Sequence, residues 1–125
     1  MSKQALARFR NEQYINFESY RKNGTPVATP LWFAEQGGII YVYTLANAYK
    51  VKRVRNNPSV RVVPSTMSGK PKGEWVEATA RVVGPEEEAL GHSLLNKKYG
   101  WKKRLGDFFS KLRKRERVVM AIEIK

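Results

Sequence analysis

Asn23-Gly24-Thr25-Pro26-Val27-Ala28-Thr29-Pro30-Leu31-Trp32-Phe33 is the stretch that decides how this chain folds. Asn-Gly between apolar, alternating segments is a strong hairpin signal. Upstream, residues 14–20 read Tyr-Ile-Asn-Phe-Glu-Ser-Tyr, aromatic and β-branched residues with a period of two. Downstream, residues 27–34 form the return strand. Pro30 has no N–H to give to a ladder, so this strand is expected at a sheet edge or a bulge. Backbone that cannot pair internally is available to a ligand.

Working outward, Gly37-Gly38 turns the chain into a third strand at 39–44. Residues 47–56 read as a short helix: Asn47 is a good N-cap, Val51 and Val54 share a face, and Asn57-Pro58 stops it. Residues 59–64 and 75–83 return to β composition around a Gly/Pro/Lys loop at 65–73. Pro85 followed by Glu86, Glu87 and Glu88 opens a second helix with negative charge where the dipole favours it. Leu90, Leu94 and Leu95 are its expected apolar stripe. Trp101, Leu105, Phe108, Phe109 and Leu112 give a third helical stripe. Residues 118–124 close the chain as a strand. Six strands with three helices inserted predict a small antiparallel barrel of α+β class, one domain over 1–125.

The chain has 125 residues, with 42% apolar side chains, enough for a core. Charge is the outlier: 24 Lys and Arg against 11 Asp and Glu leave a net +13. Such a balance predicts an anionic partner, either nucleic acid, a membrane surface or a ligand rich in phosphate or carboxylate. Residues 97–117 hold ten of the basic residues. No run of residues is apolar enough to span a bilayer, and the N-terminus lacks a signal-peptide core, so a cytoplasmic location without membrane attachment is expected.

Several chemistries are excluded. With no cysteine there is no thiolate ligand or thiol nucleophile, and one histidine cannot build a two-His zinc site, so no metal site is expected. A Ser-His-Asp triad would need His92 and Asp107 from separate helices, and His92 reads as a solvent-facing helix residue. Phosphate-binding glycine loops are absent. No catalytic side chain is identifiable.

The segment 44–58 is the informative one. The start of the 47–56 helix carries Tyr49 and Lys50, with Lys52 and Arg53 just beyond. Free N–H groups at a helix start favour an anion. A cation at that end is disfavoured by the dipole unless an anion offsets it. The violated rule marks a candidate anion site.

These segments, from 23–33 through 40–44 and Lys50-Val51-Lys52-Arg53-Val54-Arg55-Asn56-Asn57-Pro58 to Gly73-Glu74-Trp75-Val76-Glu77-Ala78-Thr79-Ala80-Arg81-Val82, resemble the split β-barrel flavin-binding superfamily. Its prototype is pyridoxamine 5′-phosphate oxidase, and the sequence is most similar to the class that uses flavin or the deazaflavin coenzyme F420. The resemblance implies a six-stranded antiparallel split β-barrel with peripheral helices. It implies that Ala28, Thr29, Pro30, Leu31 and Trp32 run beside a flavin ring and that Tyr43 and Thr44 approach its ribityl phosphate. By the same likeness Lys50 binds the phosphate, Lys52 is a second basic contact, Tyr49 adjoins them, and Trp75 reaches the site from the partner subunit of a homodimer. Tyr49 replaces an arginine of the vitamin-phosphate oxidases, and Ala78 a common glycine. Their substrate-binding C-terminal segment has no counterpart here, so pyridoxine phosphate is not the expected substrate.

The implied activity is that of an oxidoreductase using bound F420 or FMN to pass a hydride or electrons to a small-molecule substrate. The cofactor would carry the chemistry, which accounts for the missing acid–base constellation. Two rivals are a basic nucleic-acid-binding module, which lacks any recognised nucleic-acid motif, and a flavin carrier or sensor without turnover. Nucleic acid is therefore not the expected partner. Of Trp32, Phe33, Tyr41 and Tyr43, at least two are expected to fill the barrel core.

Overall fold

A computed structural model describes residues 3–45, 49–100 and 117–125. The elements are α1 (Lys3–Ala7), β1 (Tyr14–Tyr20), β2 (Pro26–Gln36), β3 (Ile39–Leu45), α2 (Tyr49–Asn56), β4 (Ser59–Ser65), β5 (Val76–Val82), α3 (Pro85–Tyr99) and β6 (Arg117–Ile124). All strand pairs are antiparallel, and the sheet closes in the order β1-β2-β3-β6-β5-β4. The expected α+β barrel of six strands is what the chain forms. The 101–114 stripe lies outside the described residues, as does Asn47.

Period-two alternation places one face of every strand inside. Ile15, Phe17, Phe33, Ile40, Val42, Val60, Val62, Ala78, Ala80, Met120 and Ile122 form the barrel interior, each 2% exposed or less. Val51 and Val54 of α2 join this cluster, as expected from their shared helix face, so α2 plugs the barrel. Phe9, with Leu6 and Ala5 of α1 against it, also packs into the interior. Nothing in the sequence marks α1: five residues are too few to show a period.

The barrel is split along β2. Its first part, from Pro26 to Trp32, pairs only with β1, while β3 pairs only with Phe33 to Gln36. The expected edge at Pro30 is therefore present. Ladder parity explains how proline is tolerated. Arg21 N–H donates to Thr25 O at 2.9 Å, so the alternation places Asn16 and Pro30 opposite each other as a non-hydrogen-bonded pair. The missing N–H of Pro30 would face away from β1, toward the open side, and no ladder bond is lost.

Two turns use glycine where the backbone requires it. Gly24, at φ 88°, donates to Arg21 O at 2.8 Å and closes the β1–β2 hairpin. Asn23 keeps a negative φ, so the loop is a turn followed by a left-handed glycine, and not a two-residue type I′ turn. Gly37 and Gly38, at φ 62° and 85°, do form the two-residue turn between β2 and β3.

On the outer wall α3 lies across the fork. Its buried face is Gly91, Leu95 and Tyr99, at i, i+4 and i+8; the expected stripe holds at Leu95 but fails at Leu90, which is 40% exposed. The helix rolls onto Gly91 because only a residue without Cβ can approach β6 there: a Cβ would sit 2.7 Å from Val119 Cγ1. Tyr41 is buried on this outer face with Val83, Val119 and Ala121, whereas Phe33 is interior. Of the four aromatics expected to supply core, two are thus buried, but only one faces the barrel interior.

Candidate functional site

Two rim hydroxyls and two cations make the site. Thr44 near the end of β3 and Ser19 near the end of β1 are buried polar residues at the mouth plugged by α2. Lys50 Nζ donates to Thr44 Oγ1 at 3.1 Å, and Arg53 Nε donates to Ser19 Oγ at 2.7 Å. Lys50 and Arg53 are one turn apart on α2, so they share its inward side. Burial lowers the Lys50 ammonium from its ordinary range, and the charge of Arg53 lowers it further. Arg53 is lowered in the same way, by burial and then by Arg21.

Among the described residues no carboxylate pairs with either cation. The nearby acid, Glu18, is committed to Arg61 at 2.7 Å and accepts from Tyr20 Oη at 3.0 Å. The remaining ion pairs, Lys72–Glu12, Arg81–Glu87, Arg81–Glu123 and His92–Glu88, involve other parts of the surface. Adjacent desolvated cations repel each other, and an anion between them removes the penalty. The first turn of α2 carries no acid that could do so. A cavity of about 380 Å³ adjoins Arg53, lined by Arg21 and Lys22 from the hairpin and by Tyr49 and Lys52 from α2.

The fork supplies the second half of the site. Parity points the backbone groups of Ala28, Pro30 and Trp32 to the side of β2 that, among the described residues, no strand covers. Trp32 would pair next with Tyr43, but the ladder to β3 stops at Phe33 and Val42. The Trp32 indole stacks on the Tyr99 ring at 4.6 Å and 9°, and Tyr43 meets the edge or face of His92 at 5.1 Å and 82°. Both outward aromatics are therefore packed on α3, and the sequence reading of His92 as solvent-facing is corrected: it is half-buried over Tyr43.

Tyr99 fills the place where β1 and β2 part. The β1–β2 ladder ends at Tyr14 with Trp32, so Gln13 and Phe33 would be the next pair. The Tyr99 hydroxyl occupies that gap: it accepts from Phe33 N–H at 2.9 Å and has Gln13 O and Phe33 O at 2.7 and 2.8 Å as acceptors for its single hydrogen. Burial raises the phenol above its ordinary value.

The expected site residues distribute as follows. Ala28, Pro30 and Trp32 lie along the open edge; Thr29 and Leu31 alternate with them, Leu31 packing on the barrel interior. Thr44 and Lys50 are bonded to each other. Tyr49 is 75% exposed, with Lys52 Nζ 5.3 Å from its ring, so these two form the outer lip of the cavity. Trp75 packs under Arg61, whose guanidinium lies 5.3 Å from the indole, and does not line this cavity within one chain. Ser19 was absent from the expected set, and Arg53, named beside Lys50 in the candidate anion site, was not among the cofactor contacts the resemblance implied. The i, i+3 spacing of Lys50 and Arg53 was the available signal, and it favours Arg53 over Lys52 as the inward partner. Among the described residues no cluster suited to a metal ion occurs, and no helix is long and apolar enough to cross a membrane.

A closed antiparallel barrel that forks between β2 and β3, with a cationic helix at its rim, is a split-barrel architecture. The chain belongs to the pyridoxamine 5′-phosphate oxidase family, whose model matches residues 1–125. Solved structures share the fold at low identity. An F420 reductase is 17% identical over 100% of this chain and 96% of its own, with a TM-score of 0.63. A FAD-binding protein from Mesorhizobium loti is 17% identical over 100% and 91%, with a TM-score of 0.65. The heme storage protein HutZ from Vibrio cholerae is 14% identical over 98% and 89%, with a TM-score of 0.73. No curated protein matches the sequence.

Proposed function

We propose that the chain is an oxidoreductase that binds a phosphate-bearing flavin-type cofactor, FMN or coenzyme F420, and acts on a small molecule as a cytoplasmic homodimer. The observation that carries this reading is the half-buried pair Lys50 and Arg53, each held by a rim hydroxyl and neither neutralised by a described carboxylate. A phosphate fits that pair, since it accepts charge-assisted hydrogen bonds from both. The unpaired backbone edge at Ala28, Pro30 and Trp32 fits the polar rim of a planar heterocycle. The FAD-binding and F420-reductase neighbours support a flavin-type group, and the family contains oxidases.

In this reading Lys50 and Arg53 hold the phosphate, and Thr44 and Ser19 orient the two cations. Thr29 and Leu31 fix β2 to the barrel so that its free edge stays in register with the ring. Tyr43 supports the β3 side of the fork. Tyr49, Lys52, Arg21 and Lys22 offer a basic lip for further anionic groups, which favours a cofactor with a long acidic tail. Trp75 of the partner subunit closes the cleft across the dimer. The bound ring supplies hydride or electron transfer. The chain itself binds, orients and excludes water.

The test is a titration of the purified protein with FMN and with F420, wild type against Lys50→Ala and Arg53→Ala. Loss of a charge-assisted bond of roughly 1.5–3 kcal/mol predicts about tenfold to hundredfold weaker binding for each variant. Unchanged affinity in both variants would refute the phosphate assignment. Binding of duplex DNA at 0.2 M salt or of heme, with no flavin-type cofactor taken up, would refute the cofactor. Cofactor binding without turnover of any electron acceptor would make the protein a carrier.

A further inference from the structure

A second cavity, of about 290 Å³, lies at the opposite end of β2, between α1 and the end of α3. Leu6, Phe9 and Phe33 supply apolar wall, Arg10 and Glu35 line it, and Lys98 contributes an amine. Lys98 does not follow the usual habit of a surface lysine, which lays its stem on apolar surface and keeps the ammonium in water. Its Nζ sits 3.6 Å from the centre of the Phe33 ring, and Phe33 is 1% exposed. The amine is thus turned inward onto the barrel end.

The charged groups around it leave it unneutralised. Glu12, the acid whose charge acts on Lys98, is bonded to Lys72 at 2.9 Å. Glu35 accepts from Gly38 N–H at 3.0 Å. Among the described residues neither carboxylate forms an ion pair with Lys98, and Arg10 adds a second positive charge. Burial lowers the Lys98 ammonium to about 8, against the opposing charge of Glu12. An amine of that kind is roughly a quarter neutral at pH 7.5, about two hundred times the neutral fraction of an ordinary lysine.

We propose that Lys98 is a nucleophilic amine that forms an imine with a small carbonyl acid, a 2-oxo acid or an aldehyde acid, whose carboxylate pairs with Arg10. The neutral amine attacks the carbonyl carbon: a C–N bond forms and the carbonyl π pair moves to oxygen. The two amine hydrogens and that oxygen leave as water. The product is the C=N bond, and no oxidant or reductant is consumed. The apolar walls at Leu6, Phe9 and Phe33 limit the carbon chain to a short one. The proposal does not depend on the cofactor reading, because the two cavities share no lining residue.

The experiment uses ligand-free wild-type protein, glyoxylate as the probe and cyanoborohydride to reduce the imine to a stable carboxymethyl amine, followed by peptide mapping. Lys98 should be labelled at least about tenfold faster than any other lysine at pH 7.5, with half-maximal rate near pH 8. Arg10→Met should remove the preference for glyoxylate over uncharged acetaldehyde while Lys98 remains the labelled lysine. Labelling spread evenly over the lysines, or confined to the α-amino group, overturns the proposal. A Lys98 rate that still rises above pH 10 overturns it as well, since that is the profile of a solvated lysine.

Discussion

Replacing Tyr99 by phenylalanine deletes one oxygen atom and keeps the ring that stacks on Trp32. That oxygen serves two strands at once. Without it the Phe33 N–H, on a residue 1% exposed, has no acceptor, and the carbonyl that received the phenol hydrogen loses its donor. An unsatisfied buried donor costs about 1–3 kcal/mol, and a lost neutral hydrogen bond about 0.5–1.5 kcal/mol. The sum predicts destabilisation of about 1.5–4.5 kcal/mol, a large share of the roughly 5–15 kcal/mol that holds a domain together. Urea unfolding followed by tryptophan fluorescence should show a lower midpoint with unchanged slope. Amide exchange adds a local readout: Phe33 N–H should lose protection, while Phe17 and Val62 in the barrel wall keep theirs relative to global stability. A loss under about 0.5 kcal/mol, or a Phe33 amide still as protected as its neighbours, would refute the argument that this hydroxyl completes the β1–β2 ladder.

Stability of the ligand-free protein should rise from pH 8 to pH 10. In that window the folded state releases the Lys98 proton while the unfolded state, with an ordinary lysine, still binds it; Lys50, also lowered, acts with the same sign. Above pH 10 the raised Tyr99 phenol opposes this, because the unfolded state ionises first. Lys98→Met should reduce the rise in urea midpoint, and an undiminished rise would sink the assignment. Lys50→Met should raise the thermal midpoint of the free protein while weakening cofactor binding about tenfold to hundredfold, because a desolvated cation without a counter-ion is a cost of function; a lower midpoint would contradict this. Gly91→Ala should destabilise by about 1–3 kcal/mol through the Val119 clash, offset by up to about 1 kcal/mol of helix propensity, and a stabilised variant would show that α3 can shift freely.

Strand positions were legible because alternation and turn chemistry are local. Residues 14–20 were placed with the bounds the structure has, and Pro30 announced the open edge that defines the fork. β2 runs two residues past its expected end because Glu35 and Gln36, polar and exposed, are kept in the ladder by Ile40 and Ile39 across the diglycine turn. Lys50 was legible as a cation placed against a helix dipole. What was not legible depends on contacts between distant segments. Tyr99 reads as the last residue of a helix, and its part in the β1–β2 ladder exists only because residues 13, 33 and 99 converge. Arg53 acquires its place from Ser19, 34 positions away. His92 and Leu90 were misplaced because one glycine, Gly91, sets the roll of α3.

The position of β6 has a consequence for biosynthesis. It is sixth in the chain but lies between β3 and β5, bonding to both. Until residues 117–124 leave the ribosome, the nascent chain carries two strands with an unsatisfied side each, β3 and β5. Those open sides could recruit β-strands of neighbouring nascent chains. Synthesis at about 5–20 residues per second leaves several seconds between the completion of β3 and the arrival of its partner. The protein is therefore expected to rely on holdase chaperones during translation. Its soluble yield should fall steeply when elongation through the basic 97–117 stretch is slowed.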